Sequence, residues 1–145
     1  MTRVDFYIVG DASDRARTTI ACRLAAKAFS RDMRIHIHTP TSDEATQVDQ
    51  LLWTFRDGSF VPHTLADDPL ARETAADNSV IIGHGHEPSE RCELLINLAP
   101  DVPRFFSRVT RVAEIIDAHP DRRAAGRERF KFYRDRGYPV ETHNL

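Results

Sequence analysis

The 145 residues predict an α/β fold, a Rossmann-like three-layer sandwich built on a mostly parallel central sheet. Three observations carry that expectation. Short apolar runs rich in β-branched residues recur at 4–9, 79–83, 94–98 and 112–116. Stretches with helical spacing separate several of them, and Gly, Pro, Ser or Asp punctuates the boundaries. The composition, 41% hydrophobic and 29% charged, suits one core. A chain of this length buries roughly 70% of its unfolded surface, enough for a single domain spanning 1–145 without staples. No internal repeat, linker or low-complexity tract interrupts it.

The first strand is Val4-Asp5-Phe6-Tyr7-Ile8-Val9, stopped by Gly10-Asp11. Ser13-Asp14 then caps a helix over 14–30, where Ile20, Ala21, Leu24, Ala25 and Ala28 form a stripe of mostly small apolar residues able to lie flat on a sheet. Arg34-Ile35-His36-Ile37-His38 alternates with period two, Thr39-Pro40 ends it, and Thr41-Ser42-Asp43-Glu44 opens a second helix over about 42–55. Residues 56–78, with Gly58, Pro62 and Pro69 and no clear period, read as a long loop. Residues 79–83 and 93–98 are sheet-interior patterns. Pro103 starts a short helix over 104–109, and Val112 to Ile116 reads as the last strand. His119-Pro120-Asp121 starts a final helix, about 120–136, ending at Gly137.

Several functions lose support at once. The formal charge of −2 does not suit a protein that coats nucleic acid. No apolar run approaches the roughly 18 residues needed to span a bilayer, and Met1-Thr2-Arg3-Val4-Asp5 lacks a signal core, so a soluble cytoplasmic protein with no membrane partner is expected. Cys22 and Cys92 have no C-x-x-C spacing and are expected as reduced thiols. The turn after the first strand, Gly10-Asp11-Ala12-Ser13-Asp14-Arg15, has one glycine where a dinucleotide fingerprint has three, and its acids would repel a pyrophosphate. No Walker A loop occurs. The pairs His36/His38 and His84/His86 could each chelate from one strand face, but no carboxylate or cysteine stands at matching spacing, and surface or turn histidines are the simpler reading. No cofactor, metal or catalytic residue is expected.

The positive signal lies in the last helix. Residues 121–136 carry seven basic side chains against three acids, a local charge of +4 that leaves −6 for the rest. Arg123, Arg127, Phe130 and Arg134 fall at i, i+4, i+7 and i+11, placing three guanidinium groups and a ring on one face. Such a face fits an acidic partner with an apolar anchor, since arginine forks bind carboxylates bidentately. A solvated cationic helix end is the competing explanation. Gly126, mid-helix, costs about 1 kcal/mol relative to Ala and points to a close approach of another backbone or a ligand. A second segment, Leu52-Trp53 with Ser59-Phe60-Val61-Pro62-His63, sets the only tryptophan near a loop phenylalanine and proline, either as an interface or as a plug on the sheet edge.

These segments, with Val4-Asp5-Phe6-Tyr7, Leu94-Leu95-Ile96-Asn97-Leu98 and the closing Gly126-Arg127-Glu128-Arg129-Phe130-Lys131-Phe132-Tyr133-Arg134-Asp135-Arg136-Gly137-Tyr138, resemble the chi subunit family of bacterial DNA polymerase III holoenzyme. The resemblance covers nearly the whole chain. It implies a non-enzymatic adaptor linking the acidic C-terminal tail of single-stranded-DNA-binding protein to the clamp-loader complex through a psi subunit, with DNA contacted only indirectly. By the same resemblance Arg127 is the key arginine for the tail, Arg123 stands where the family has a lysine, Phe130 replaces a tyrosine, and Ile116 forms an apolar wall; Arg134, on the same helical face, is expected to join Arg123 in attracting the upstream acids. Trp53, Phe60, Pro62 and His63 correspond to the psi-facing segment. Direct single-stranded nucleic-acid binding, and a metal- or nucleotide-dependent enzyme on the same fold, are the alternatives.

Overall fold

A computed structural model describes residues 1–56, 60–74 and 79–145. Along the chain run β1 (Arg3–Ile8), α1 (Asp14–Ser30), β2 (Ile35–His38), α2 (Ser42–Thr54), β3 (His63–Leu65), α3 (Pro69–Thr74), β4 (Val80–Gly83), β5 (Leu94–Asn97), β6 (Arg111–Ile116), α4 (Pro120–Asp135) and β7 (Val140–Asn144). The seven strands form one sheet in the order β3-β4-β2-β5-β6-β1-β7, and every pair is parallel. The expected Rossmann-like α/β sandwich is present.

The helix starts follow from their caps. Ser13 accepts the Ala16 N–H at α1 and Thr41 accepts the Glu44 N–H at α2. Pro120 opens α4 behind His119, and beyond its end Gly137 takes φ 80°, a left-handed conformation that lets the chain turn into β7. Ala21, Ala25 and Ala28 are buried, so α1 lies close on the sheet beside α2, over a core that includes Ile37, Ile82 and Ile96. The opposite face carries a second core in which Phe6, Phe106 and Val112 pack with Tyr133 of α4.

Three sequence expectations need correction. The stretch read as a loop over 56–78 contains β3 and α3, while Gly58 and Ser59 lie outside the described residues. Three residues of strand, His-Thr-Leu, are too few to show a period; Pro62 sits just before them, and its carbonyl accepts from Val80 N at 2.8 Å to begin the ladder at the sheet edge. The helix expected over 104–109 is a single 3-10 turn, Phe106–Arg108, entered through the Phe106 N–H bond to Pro103 O; Phe105 and Phe106 are buried and pull this short segment onto the core. Finally, β6 is not the last strand. β7, Val-Glu-Thr-His-Asn, pairs among the described residues with β1 alone, and its largely polar residues left no apolar run to read.

Candidate functional site

The arginine-bearing helix is fastened to the sheet by a buried polar cluster. Glu114 of β6 has no exposure, and its carboxylate accepts from Arg129 Nε at 2.9 Å, from Tyr133 Oη at 2.7 Å and from Asn97 Nδ2 at 3.0 Å. Arg129 also donates to the Pro100 carbonyl at 2.9 Å, which ties α4 to the segment after β5. Burial raises the Glu114 carboxyl above its ordinary range, against the opposing pull of Arg129, Tyr133 and Asn97. Burial and the adjacent Glu114 likewise raise the Tyr133 phenol, so it remains a donor. A second anchor lies at the start of α4, where Arg122 grips Asp117 at 2.6 Å, Asp14 at 2.8 Å and the Ala12 carbonyl at 3.1 Å. Burial pushes Asp117 up, but Arg122 outweighs it and holds this carboxyl below its usual value.

Gly126 completes the seat. A Cβ there would lie 2.4 Å from Ile116 Cδ1 and 2.8 Å from Ile116 Cγ1, so the isoleucine side chain fills the space the missing methyl would need. The close approach at Gly126 is made by the side chain of Ile116 of β6, only 8% exposed, and not by the backbone or ligand the sequence suggested. Phe130 is half-buried, its ring set edge-on to Phe6 with centroids 5.2 Å apart.

Of the seven basic residues in this stretch, Arg122 and Arg129 are therefore committed inward. Arg123, Arg127 and Arg134 are exposed on the flank where the spacing put them. Among the described residues neither Arg123 nor Arg127 has a carboxylate partner, while Arg134 lies 3.4 Å from its neighbour Asp135. The arrangement offers unpaired guanidinium groups beside Phe130, a ring supported from below. Sequence reasoning missed Glu114, Asn97 and Tyr133. The available signal was a charged residue inside an otherwise apolar strand, Val-Ala-Glu-Ile-Ile.

The residues of the second predicted site lie together toward the opposite end of the sheet. Trp53 of α2 and Phe60 are 57% and 68% exposed, with ring centroids 5.8 Å apart. His63 meets the Trp53 ring edge-on at 4.6 Å, donates from Nδ1 to Val61 O at 2.7 Å and places Nε2 3.4 Å from the Asp49 carboxylate. Pro62 is partly exposed between them. The rings do not plug the edge; they stand out from it.

Other candidate chemistry is accounted for differently. His36 is 2% exposed, not a surface residue, and burial holds its imidazole down at about 3 and hence neutral. His38 is partly buried with its ring edge-on to Phe105, and burial lowers it too. His84 leans on Asp67 at 3.2 Å and lies edge-on to His86. Among the described residues the group able to bring three ligand atoms together is instead Asp5, Glu141 and His143. There Arg3 and Arg111 already stand 3.3 and 3.2 Å from Asp5, so a cation would enter against two guanidinium groups. At the turn after β1, Ser13 and Asp11 satisfy local N–H groups and Arg122 takes the Ala12 carbonyl, leaving a capped helix start without a glycine cradle.

Comparison with known proteins decides the family. The family model described as DNA polymerase III chi subunit, HolC, matches residues 1–141. The chain belongs to the DNA polymerase III chi subunit family. Similar members include a DNA polymerase III subunit chi of Pseudomonas aeruginosa, 40% identical over 100% of this chain and 98% of that one, and one of Escherichia coli, 27% identical over 98% and 97%. Membership in the chi family gives the chain a role as a subunit of the replicative polymerase assembly. The fold extends further than the family. T4 UvsW superposes with a TM-score of 0.68 at 12% identity, covering 99% of this chain and 42% of that one. A DEAD-box helicase domain of Mss116p superposes with 0.63 at 8% identity, covering 97% and 64%. The chain thus shares its α/β fold with these two proteins. Among the described residues no helix is long and apolar enough to cross a membrane.

Proposed function

We propose that this chi-family chain is a non-catalytic adaptor of one α/β domain, acting in the cytoplasm, that captures the acidic C-terminal tail of single-stranded-DNA-binding protein and joins it through a psi-type subunit to the clamp-loader complex. The observation that carries the reading is the pair of exposed arginines, Arg123 and Arg127, without carboxylate partners beside half-buried Phe130 on a helix whose position is set from beneath. In this reading the tail's terminal carboxylate pairs with Arg127, its last aromatic side chain rests on the accessible edges of Phe130 and Ile116, and Arg123 and Arg134 attract the upstream acids. Charge-assisted bonds of this kind are worth about 1.5–3 kcal/mol each. A flexible peptide also loses conformational freedom on binding, so the expected affinity is micromolar, about −8 kcal/mol.

Trp53 and Phe60, with Pro62 and His63 beside them, form the psi-facing surface. Exposed rings in contact with each other suit an apolar protein interface. The two sites lie at opposite ends of the sheet, so both partners can be held at once. A titration with a labelled acidic peptide ending in phenylalanine tests the reading. Saturable binding is expected that requires both the free carboxylate and Arg127; equal binding of an amidated peptide, or of the Arg127→Ala chain, would overturn it.

A further inference from the structure

The N-terminal ends of β2, β4 and β5 surround a cavity of about 490 Å³ that belongs to neither surface described above. Arg34 leads into β2, Ser79 precedes β4, and Ser89 and Arg91 lie just before β5; all four line the cavity, with Ile35 and Ile81 as its apolar wall. The volume is in the range of about 300–1,000 Å³ usual for small-molecule sites.

The polar side chains here have donors to spare. Arg34 and Arg91 bond through their backbone N–H groups, to Glu93 Oε1 at 3.1 Å and to Ser89 Oγ at 3.2 Å, and among the described residues neither guanidinium has a partner. Ser79 is only 6% exposed, and its hydroxyl has no hydrogen-bond partner among the described residues. Ser89 accepts from Arg91 and keeps its own proton to donate. Glu90 and Glu93 flank Arg91 in the chain, but neither lines the cavity, and Glu93 is held on the Arg34 N–H. Cys92 and His36 complete the lining. Burial pushes the thiol up to about 12 and the imidazole down to about 3, so both stay neutral beside the two arginines. The frame that carries these groups is tied together by backbone bonds. Cys92 N–H closes the turn on Ser89 O at 2.9 Å, and the Arg34 carbonyl accepts from Glu93 and Leu94 at 2.9 and 3.0 Å.

We propose that this cavity binds the phosphate group of a small phosphate monoester, with Arg34 and Arg91 as forks on its oxygens, Ser79 and Ser89 donating to it, and the organic part against Ile35 and Ile81. The donor set decides among ligands. A cation is repelled by both guanidinium groups. A carboxylate has two oxygens, which a single bidentate fork engages, leaving the second arginine and the hydroxyls without an acceptor. A phosphate monoester presents three terminal oxygens and a charge of about −1.5 to −2 to the same donors. A nucleic-acid strand calls for cations in a row along its backbone, whereas these two line one cavity in a chain of net charge −2.

Isothermal titration and backbone-amide NMR of the full chain provide the test, with phenyl phosphate, inorganic phosphate and benzoate as probes. Phenyl phosphate is expected to shift the amides of Ile35, Ser79, Ile81 and Cys92, and to bind about tenfold more tightly than benzoate and severalfold more tightly than inorganic phosphate. Arg91→Gln changes an exposed side chain that has no partner to lose, so it should fold as the parent does and weaken phenyl phosphate about tenfold. Ser79→Ala should weaken it severalfold, and Arg127→Ala should leave it unchanged. Benzoate binding as tightly as phenyl phosphate, shifts centred on Arg123 and Arg127, or no shift at millimolar phenyl phosphate would each overturn the proposal. Equal affinity for the two phosphates would overturn the ester, since the free ion would then be the ligand. The cavity shares no residue with the arginine flank of α4 or with the Trp53–Phe60 surface, so this proposal and the adaptor reading fail separately.

Discussion

The two ends of the sheet present surfaces built on different principles. At the β3 edge, Trp53 and Phe60 expose apolar area and lean on each other, with the His63 ring edge-on to Trp53. At α4 the exposed groups are charged, and below them lie a fully buried carboxylate network and a glycine fitted over Ile116. An apolar ring tolerates many approaches of a partner because hydrophobic contact is non-directional, whereas a guanidinium fork needs its carboxylate in a fixed place. The molecule puts its buried polar scaffold under the charged face.

Glu114→Ala should break that contrast most severely. It strands Arg129 and Tyr133 without their acceptor, and a loss of about 3–5 kcal/mol is expected in denaturant unfolding, against about 0.5 kcal/mol or less for exposed Trp53→Ala. In binding the roles differ again. Arg127→Glu should lower affinity for the acidic peptide by about 2–3 kcal/mol, while Trp53→Ala should leave it unchanged in the same anisotropy titration. Equal losses from both would erase the distinction between the ends. Gly126→Ala should cost about 1–3 kcal/mol of stability by pressing on Ile116, and a thermal melt of Gly126→Ala combined with Ile116→Ala should recover part of that.

His36 belongs to neither end and supplies a control. Burial holds its folded-state value at about 3, below 6.5 in the unfolded chain, so the unfolded state takes up the proton first and stability falls as pH drops below about 6.5. Between pH 6.5 and 5.5 the loss should be about 1 kcal/mol, flattened in a His36→Leu chain whose tail binding is unaltered. The smallest effect expected is that of salt. Raising it should weaken the acidic peptide severalfold and leave an apolar partner at Trp53 nearly untouched.

The sequence pattern revealed what periodicity can carry. The caps at Ser13 and Thr41, the alanine stripe of α1 and the arginine spacing of α4 are local facts, and all reappear in the structure. What escaped depends on partners distant in the chain. β7 becomes a strand by pairing with β1, more than 130 residues earlier, and little in Val-Glu-Thr-His-Asn marks it as one. Glu114 looks like an error in an apolar strand until Arg129 and Tyr133 close over it. The inward turn of Arg129 was equally hidden, because a count of basic residues cannot separate a side chain held by a buried glutamate from one facing water.

The position of β1 carries a kinetic consequence. Its neighbours are β6 and β7, so this strand finds its partners only after residues 111–116 and 140–144 have been synthesised. At about 5–20 residues per second, that leaves Val-Asp-Phe-Tyr-Ile unpaired for roughly 5–20 s on every translating ribosome. Such a segment is the kind that pairs with its own copies on a polysome. Asp5 puts a charge in the middle of that segment, a feature that works against such stacking in general, and in the finished sheet Arg3 and Arg111 stand 3.3 and 3.2 Å from it.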